Sequence, residues 1–445
     1  MSAVSFYALA DLDDAQRAAL LDRAEADLGA YLDTVRPIVD AVRREGDGAL
    51  VRFAQEFDGA DLNPTTLRVG EAEVMTALER LDPEVVAAIQ YASQNIRRFH
   101  EAQLPEALWL KEVSPGSFAG ERHTPIPSVA CYVPRGKGSF PSVMMMTTIP
   151  AVVAGVPRIV VLTPPGRDGG VDDACLVAAH LAGVTEIYKC GGAVAVAAAA
   201  FGTETVPKVH KIVGPGSPYY GAARRLLADY IDIGSHAGPS EAIVLADGNA
   251  NPRLVALDLI IESEHGPDSS AFLVTPSHEL AAAVRRLVPE YWRAMGEQRV
   301  AFSSAVLGGA KGGVVLAPSM PDAVAFVNDY APEHLMIHTD EPMEYLGQIH
   351  NAGEILLGCH TPMTLANFVI GPNNVLPTSK AAMTMSPLSV FDYLKRATVA
   401  TVTRRGYDEL ARHAQVLARY EGFDGHALAV SEARARAERG EGPPL

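Results

Sequence analysis

SVACYVP (residues 128–134), RIVVLTPP (158–165), IYKCGG (187–192) and KIVGPG (211–216) decide the fold of this chain. Each is a short apolar run closed at its carboxyl end by proline or glycine, the mark of a buried strand that ends in a turn. Ala-rich stretches with helical character lie between them. Strands alternating with helices predict parallel αβ units. The pattern returns at Glu241–Ala246 and Ser270–Thr275, on either side of a helix read from Asn251 to His265. Gly313–Leu316, His334–Ile337 and Gly353–Leu357 read as further short strands. Before them, Asp13–Leu28, Tyr31–Phe57 and two patterns across Glu71–Glu101 carry helical period.

The expected fold class is therefore α/β, with parallel αβ units, a second αβ sheet, and helical stretches at the start and over the last ~65 residues. Both sheets are expected to carry ligands at the carboxyl ends of their strands.

Composition narrows the partners. Apolar residues make up 48% of the 445 and charged residues 20%, as in an ordered globular protein. Lys and Arg number 37 against 53 Asp and Glu, a net charge of −16. Such a surface disfavours nucleic acid and anionic membranes and leaves small molecules as partners. The most apolar stretch, Val143–Leu162, is interrupted by Thr147, Thr148, Pro150, Pro157 and Arg158, short of the ~20 clean residues of a membrane span. MSAVSFYALADLDD does not read as a secretory leader. Four cysteines without CxxC spacing point to a reducing, cytoplasmic setting.

Several groups suit chemistry. Glu262 and His265, three apart at a helix end, share one face and form half a metal site; a solvated polar helix end is the plain alternative. Glu333-His334 pairs a carboxylate with an imidazole beside Pro332, two groups able to titrate near neutrality when desolvated, unless they are a surface turn. Gly214-Pro-Gly216 opens a helix whose amides can hold an anion, or is simply a tight turn. No GxGxxG fingerprint is present.

Taken together these pieces form an ordered set. It comprises Ala237-Gly-Pro-Ser240-Glu241, Glu264-His265-Gly-Pro-Asp-Ser269, Pro332-Glu333-His334-Leu335, Gly371-Pro-Asn-Asn374-Val-Leu-Pro-Thr378 and Glu421-x4-His426. Gly191-Gly-Ala, Ala200–Lys208 and Gly214-Pro-Gly216 join it. The chain resembles the histidinol dehydrogenase family in this order over nearly its whole length. The resemblance implies oxidation of L-histidinol to L-histidine in two NAD-dependent steps through a held aldehyde. It also implies two Rossmann-like parallel αβα domains with helical N- and C-terminal extensions: residues 1–125 with 238–378 as one domain that includes the N-terminal helices, residues 126–237 as the second, on the nucleotide side, and 379–445 as a helical tail. It implies one zinc ion per subunit and a homodimer in which those tails are exchanged.

By the same resemblance, Glu333 and His334 are the acid–base pair. Ser240, Glu262, His265, His334, Asn367, Asn374, Glu421 and His426 match substrate-contacting positions. Glu262, His265, Asn367 and His426 match the metal ligands. The family has Gln and Asp where this chain has Glu262 and Asn367, so the single carboxylate of the set has changed place. Asn374 replaces a histidine, and His236 stands where proline is usual, either filling that space or lying on a surface turn. Tyr132, Val194 and Ser217 match nucleotide contacts; Val194 replaces Gln and Ser217 replaces Asn. Two lost or shortened hydrogen bonds weaken NAD binding by about 0.5–1.5 kcal/mol each without excluding it. Arg135 and Lys137 offer cations to a pyrophosphate, to the 2′-phosphate of NADP or to an anionic substrate, or form a solvated loop. The alternatives are thus a paralogue acting on another alcohol, such as a sulfonated diol, and a non-catalytic binding protein on the same scaffold.

Overall fold

A computed structural model describes residues 4–22, 28–136, 138–235 and 238–442. Its strands, in chain order, are β1 (Phe6–Ala8), β2 (Leu108–Ser114), β3 (Ser117–Pro125), β4 (Ser128–Tyr132), β5 (Arg158–Thr163), β6 (Glu186–Lys189) and β7 (Lys211–Val213). They continue with β8 (Glu241–Ala246), β9 (Ser270–Thr275), β10 (Gly312–Leu316), β11 (His334–His338), β12 (Glu354–Leu357) and β13 (Leu394–Val402). The expected α/β class with parallel sheets and helical extensions is what forms.

The small sheet has the order β6-β5-β4-β7 and the large one β1-β10-β9-β8-β11-β12. Every pairing in both is parallel. Each sheet grows one way through three strands, β4-β5-β6 and β8-β9-β10, and then winds the other way, so the switch points lie between β4 and β7 and between β8 and β11. β8 to β11 are buried along their whole lengths. Helices cover both faces, so these strands read as continuous apolar runs rather than alternating ones. Asn251 caps the helix Pro252–Ser263 through its side chain, and Pro252 supplies the fixed φ of the first turn.

The described chain divides into two compact units. One holds the residues up to Leu104 and Ile126–Tyr393, with both parallel sheets. The other holds Pro105–Pro125 and the chain from Leu394 on. This division differs from the expected segments in three ways. First, the N-terminal helices pack on the small sheet: Val35, Val39 and Val42 join Tyr132, Leu162 and the helix Gly192–Phe201 in one core. Of the N-terminal elements, β1 joins the large sheet beside β10, and the helix Asp14–Leu21 packs on it through Leu20. The reason lies in the sequence GAVAVAAAAF, whose residues Ala193–Ala200 are all buried. A helix apolar on every side needs cover on every side.

Second, the stretch after the helical readings, which end at Glu101, forms a hairpin of β2 and β3. Third, residues 394–402 of the expected helical tail are the strand β13. It pairs antiparallel with β3 from Leu394 opposite Pro125 to Val402 opposite Ser117. The turn between β2 and β3 uses Gly116 at φ 75°, and a Cβ there would sit 2.3 Å from the Thr403 Oγ1. Helices Arg404–Tyr420, Asp424–Ala429 and Glu432–Glu438 complete this second unit. No described helix is long and apolar enough to cross a membrane.

Ala197 lies at the centre of the enclosed helix with no exposed surface. Ala197→Leu is expected to destabilise the fold by about 1–3 kcal/mol through overpacking, read as a lower midpoint of denaturant unfolding. An unchanged midpoint would mean that this helix is not enclosed.

Candidate active site

The two parallel sheets share a cleft of about 1700 Å³. At one end it is lined by Tyr132, Pro134, Pro164, Gly191, Gly192 and Ser217, which follow the carboxyl ends of the small sheet. At the other it is lined by Ser240, Glu262, His265, Glu333, His334, Asn367 and Asn374. The expectation of carboxyl-end sites is therefore corrected for the large sheet, where the polar groups stand at the amino edge. Glu241 and His334 are the first residues of the neighbouring strands β8 and β11. The helix Pro252–Ser263 starts beyond the carboxyl end of β8 and runs back. Its last turn delivers Glu262 to the same edge, where the chain enters β9. The carboxyl edge instead holds a buried pair, His338 Nε2 at 2.9 Å from Asp258 Oδ2.

At the amino edge the polar groups are tightly linked. His334 Nδ1 lies 2.9 Å from Glu354 Oε2, and His334 Nε2 lies 3.9 Å from Glu333 Oε1. The Glu241 amide donates to Glu333 Oε2 at 2.9 Å. Asn367, on the short helix Met363–Phe368, donates from Nδ2 to Glu262 Oε1 at 2.8 Å. Asn374 donates to the Asn367 carbonyl at 2.7 Å, and its own Oδ1 is buried without a hydrogen bond.

His265 Nδ1 stands 2.9 Å from both Ser240 Oγ and Glu262 Oε2. Only Ser240 is aligned for a hydrogen bond, and Glu262 Oε2 is buried and accepts none. A carboxylate oxygen and an imidazole nitrogen so placed stand as two ligands of one cation do. With its amide nitrogen held by Glu262, Asn367 can offer its carbonyl oxygen as a third. Carboxylate, imidazole and carbonyl together fit zinc with a position left open. Among the described residues, no three His, Cys, Asp or Glu gather as a metal site, the third donor here being an amide.

Charge sets the protonation. Burial alone would push Glu262 up, but the His334 and His265 rings bring it down to about 2. Burial opposes charge on His334, yet Glu262, Glu333 and Glu354 raise it to about 10. Burial drives Glu333 well above the usual carboxylate range, helped by Glu262 and opposed by His334. His265 is opposed by burial and raised by Glu262.

The small-sheet end is built from close approaches. A Cβ on Gly214 would lie 2.2 Å from the Tyr132 carbonyl oxygen, and one on Gly216 would lie 2.3 Å from the Tyr220 ring. Tyr132 and Tyr220 stack at 4.2 Å. The Tyr132 hydroxyl accepts from the Gly192 amide at 3.0 Å, at the start of one helix. Ser217 Oγ accepts from the Tyr220 amide at 3.4 Å as the cap of the next. Val194 is buried and can offer only packing. Two helix starts thus open on the cleft, as suits a diphosphate. Arg135 lies close enough to Asp58 to oppose the burial that raises that carboxyl to about 6.

Lys137 and His236 lie outside the described residues. Glu421 and His426 belong to the second unit. Glu421 caps the helix Arg404–Tyr420, His426 lies on the next helix, and both are exposed. Glu354, Glu241, Asp58 and Tyr220 were missed by reading the sequence. The available signal for Glu354 was a lone carboxylate opening an apolar strand.

A volume of about 1700 Å³ exceeds the roughly 300–1,000 Å³ of a single small-molecule pocket and leaves room for two ligands. Comparisons with known proteins agree with this geometry. The family model for histidinol dehydrogenase matches residues 21–434. A protein of Mesorhizobium japonicum named histidinol dehydrogenase homolog 2 is 58% identical over 436 residues, 98% of this chain and 99% of its own. The histidinol dehydrogenase of a Synechocystis species is 46% identical over 424 residues, 95% of this chain and 98% of its own. The crystal structure of histidinol dehydrogenase from Elizabethkingia anophelis superposes with a TM-score of 0.92 at 31% identity, covering 99% of each chain. The chain belongs to the histidinol dehydrogenase family of oxidoreductases.

Proposed function

We propose that the protein oxidises a polar primary alcohol carrying a cationic group to the carboxylate, through a bound aldehyde. The model reaction is L-histidinol to L-histidine. The observation that carries this reading is the buried Glu333–His334 pair, set beside Glu262, His265 and Asn367 in the cleft that also reaches the Gly192 and Ser217 helix starts. NAD, or NADP in its place, supplies the hydride acceptor for both oxidations. Tyr132, Gly192 and Ser217 line its end of the cleft, with Arg135 at the rim. Zinc, when bound by Glu262, His265 and the Asn367 carbonyl with His426 of the tail, supplies a Lewis acid for the alcohol oxygen.

His334 takes the hydroxyl proton as the first hydride leaves the carbon. Glu333 takes a proton from the water that adds to the aldehyde, and the resulting hydrate gives up the second hydride. A carboxyl held above its usual range is well matched to that task near neutral pH. Glu262 stays charged and pairs with the cationic group of the substrate. His334 releases its proton most readily when that charge is matched by another cation. The tail exchange between subunits of a dimer belongs to this same reading, because Glu421 and His426 lie in the unit that begins again at Leu394.

One observation favours a different alcohol. Arg135 and Arg299 line the cleft, and Arg299 donates to the Glu264 carbonyl at 3.0 Å, so an anionic end group would find cations there. The name of the Mesorhizobium relative, which is more similar than the Synechocystis enzyme, also carries the word homolog.

With L-histidinol and NAD, the account expects two reduced cofactors per alcohol consumed, followed by absorbance and abolished by a chelator. Turnover of a sulfonated diol but not of histidinol would favour the anionic reading. His334→Asn is expected to lower kcat by about 10²–10⁴-fold. Glu333→Gln is expected to stall after the first oxidation, with one reduced cofactor per alcohol and a trappable aldehyde. Full oxidation by Glu333→Gln would remove Glu333 from the hydration step.

A further inference from the structure

We propose that Glu354 is a positioning residue for His334. It holds the ring with Nδ1–H pointing into the sheet and Nε2 presented to the substrate. This rests on the reading of His334 as the proton acceptor.

The placement begins in the backbone. β12 lies beside β11, and Glu354 is the register partner of His334. Partners on adjacent parallel strands leave the sheet on the same face. The Gly353 amide donates to the Pro332 carbonyl and the Glu354 amide to the Glu333 carbonyl, both at 2.9 Å. A Cβ at Gly353 would lie 2.6 Å from the Glu333 carbonyl oxygen, so only glycine lets β12 come this near. The strand that carries Glu354 is thereby tied to the two residues on either side of the Pro332–Glu333 bond.

The side chains complete the argument. Glu354 and His334 are 7% and 3% exposed and meet at 2.9 Å. Glu354 Oε1 is buried with no hydrogen bond, so His334 is the only polar partner that the carboxylate has among the described residues. A buried carboxylate with one partner is costly, and removing that partner costs more. Glu262 and Glu333 also face the ring, but neither bonds Nδ1. Glu333 lies 3.9 Å from Nε2, and Glu262 acts through its charge. An imidazole whose Nδ1–H is held by a carboxylate has a fixed ring plane and a more basic Nε2. During alcohol oxidation the substrate O–H bond breaks, an Nε2–H bond forms and the hydride leaves for the nicotinamide. Glu354 exchanges no proton and steadies the imidazolium.

Glu354→Gln keeps an acceptor for Nδ1–H but removes the charge. Glu354→Ala removes both. For the alcohol that the wild type oxidises, kcat is expected to fall about 10–100-fold in each, with KM for alcohol and nucleotide unchanged. Glu354→Ala should be the slower of the two. In the ligand-free protein, proton NMR should show a downfield Nδ1–H resonance, assigned by its absence from His334→Asn, and lost in Glu354→Ala. Wild-type kcat in either variant, or a resonance that persists in Glu354→Ala, would overturn the proposal. If Glu354→Ala does not fold, the near-isosteric Glu354→Gln decides by the same kcat criterion. Should His334→Asn itself stay active, the reading of His334 fails. An inactive His334→Asn beside a fully active Glu354→Gln would leave that reading standing and reject the role of Glu354.

Discussion

Three carboxylates and one imidazole crowd the buried amino edge of the large sheet, and they cannot all be charged at once. Each ion withdrawn from water carries a penalty of several kcal/mol unless a partner offsets it. Glu262, Glu333 and Glu354 surround a single cationic group in the core of the cluster, His334. The outcome is a division of roles. Glu262 is held down to about 2, Glu333 is driven above the usual carboxylate range by burial, and His334 keeps its proton to about pH 10. Glu262 also raises His265, so His334 and His265 are the two cations that face these carboxylates. A ligand with an ammonium or imidazolium group, or a metal ion, seated against Glu262 competes with both and loosens the proton that, in the proposed reaction, His334 loses to act as a base.

That cluster exists because two sheets meet by opposite edges. The small sheet offers its carboxyl edge, with the two helix starts that suit a diphosphate. The large sheet offers its amino edge, and the helix Pro252–Ser263 runs back to place Glu262 there. In the proposed reaction, hydride transfer needs nucleotide and alcohol within contact of each other, and a shared cleft is the arrangement that allows it. The tight backbone passages at Gly214 and Gly353 set how near the walls can come. Both are places where a side chain would collide with a carbonyl oxygen.

Much of this could be read from the residues. The buried strands β4 to β10 are apolar runs closed within two residues by proline or glycine, and both sheets are built largely from them. The Glu333–His334 pair and the Glu262–His265 spacing pointed to chemistry before any coordinates. β1, β2, β3 and β13 escaped notice for a physical reason. LWLKEVS and LKRATVATV face solvent on much of their surface, the apolar residues of the first being exposed and falling on both faces of the strand, and β1 is only three residues long. Glu354 escaped because register, not spacing, brings it to His334 across 20 residues of chain. The amino-edge location escaped because the general rule for doubly wound sheets points to the other edge. Val194 and Ser217 lie in the cleft, but one packs and the other caps a helix, which type and spacing alone do not distinguish.

This competition for the carboxylate charge can be measured directly. Calorimetric titration of the protein with L-histidinol, without nucleotide, in buffers of different ionisation enthalpy gives the protons exchanged on binding. If a cationic ligand seats against Glu262 and displaces the His334 proton, binding near neutral pH should release about one proton per site. Binding with no proton released would contradict this, because the ligand would then leave the His334 proton in place.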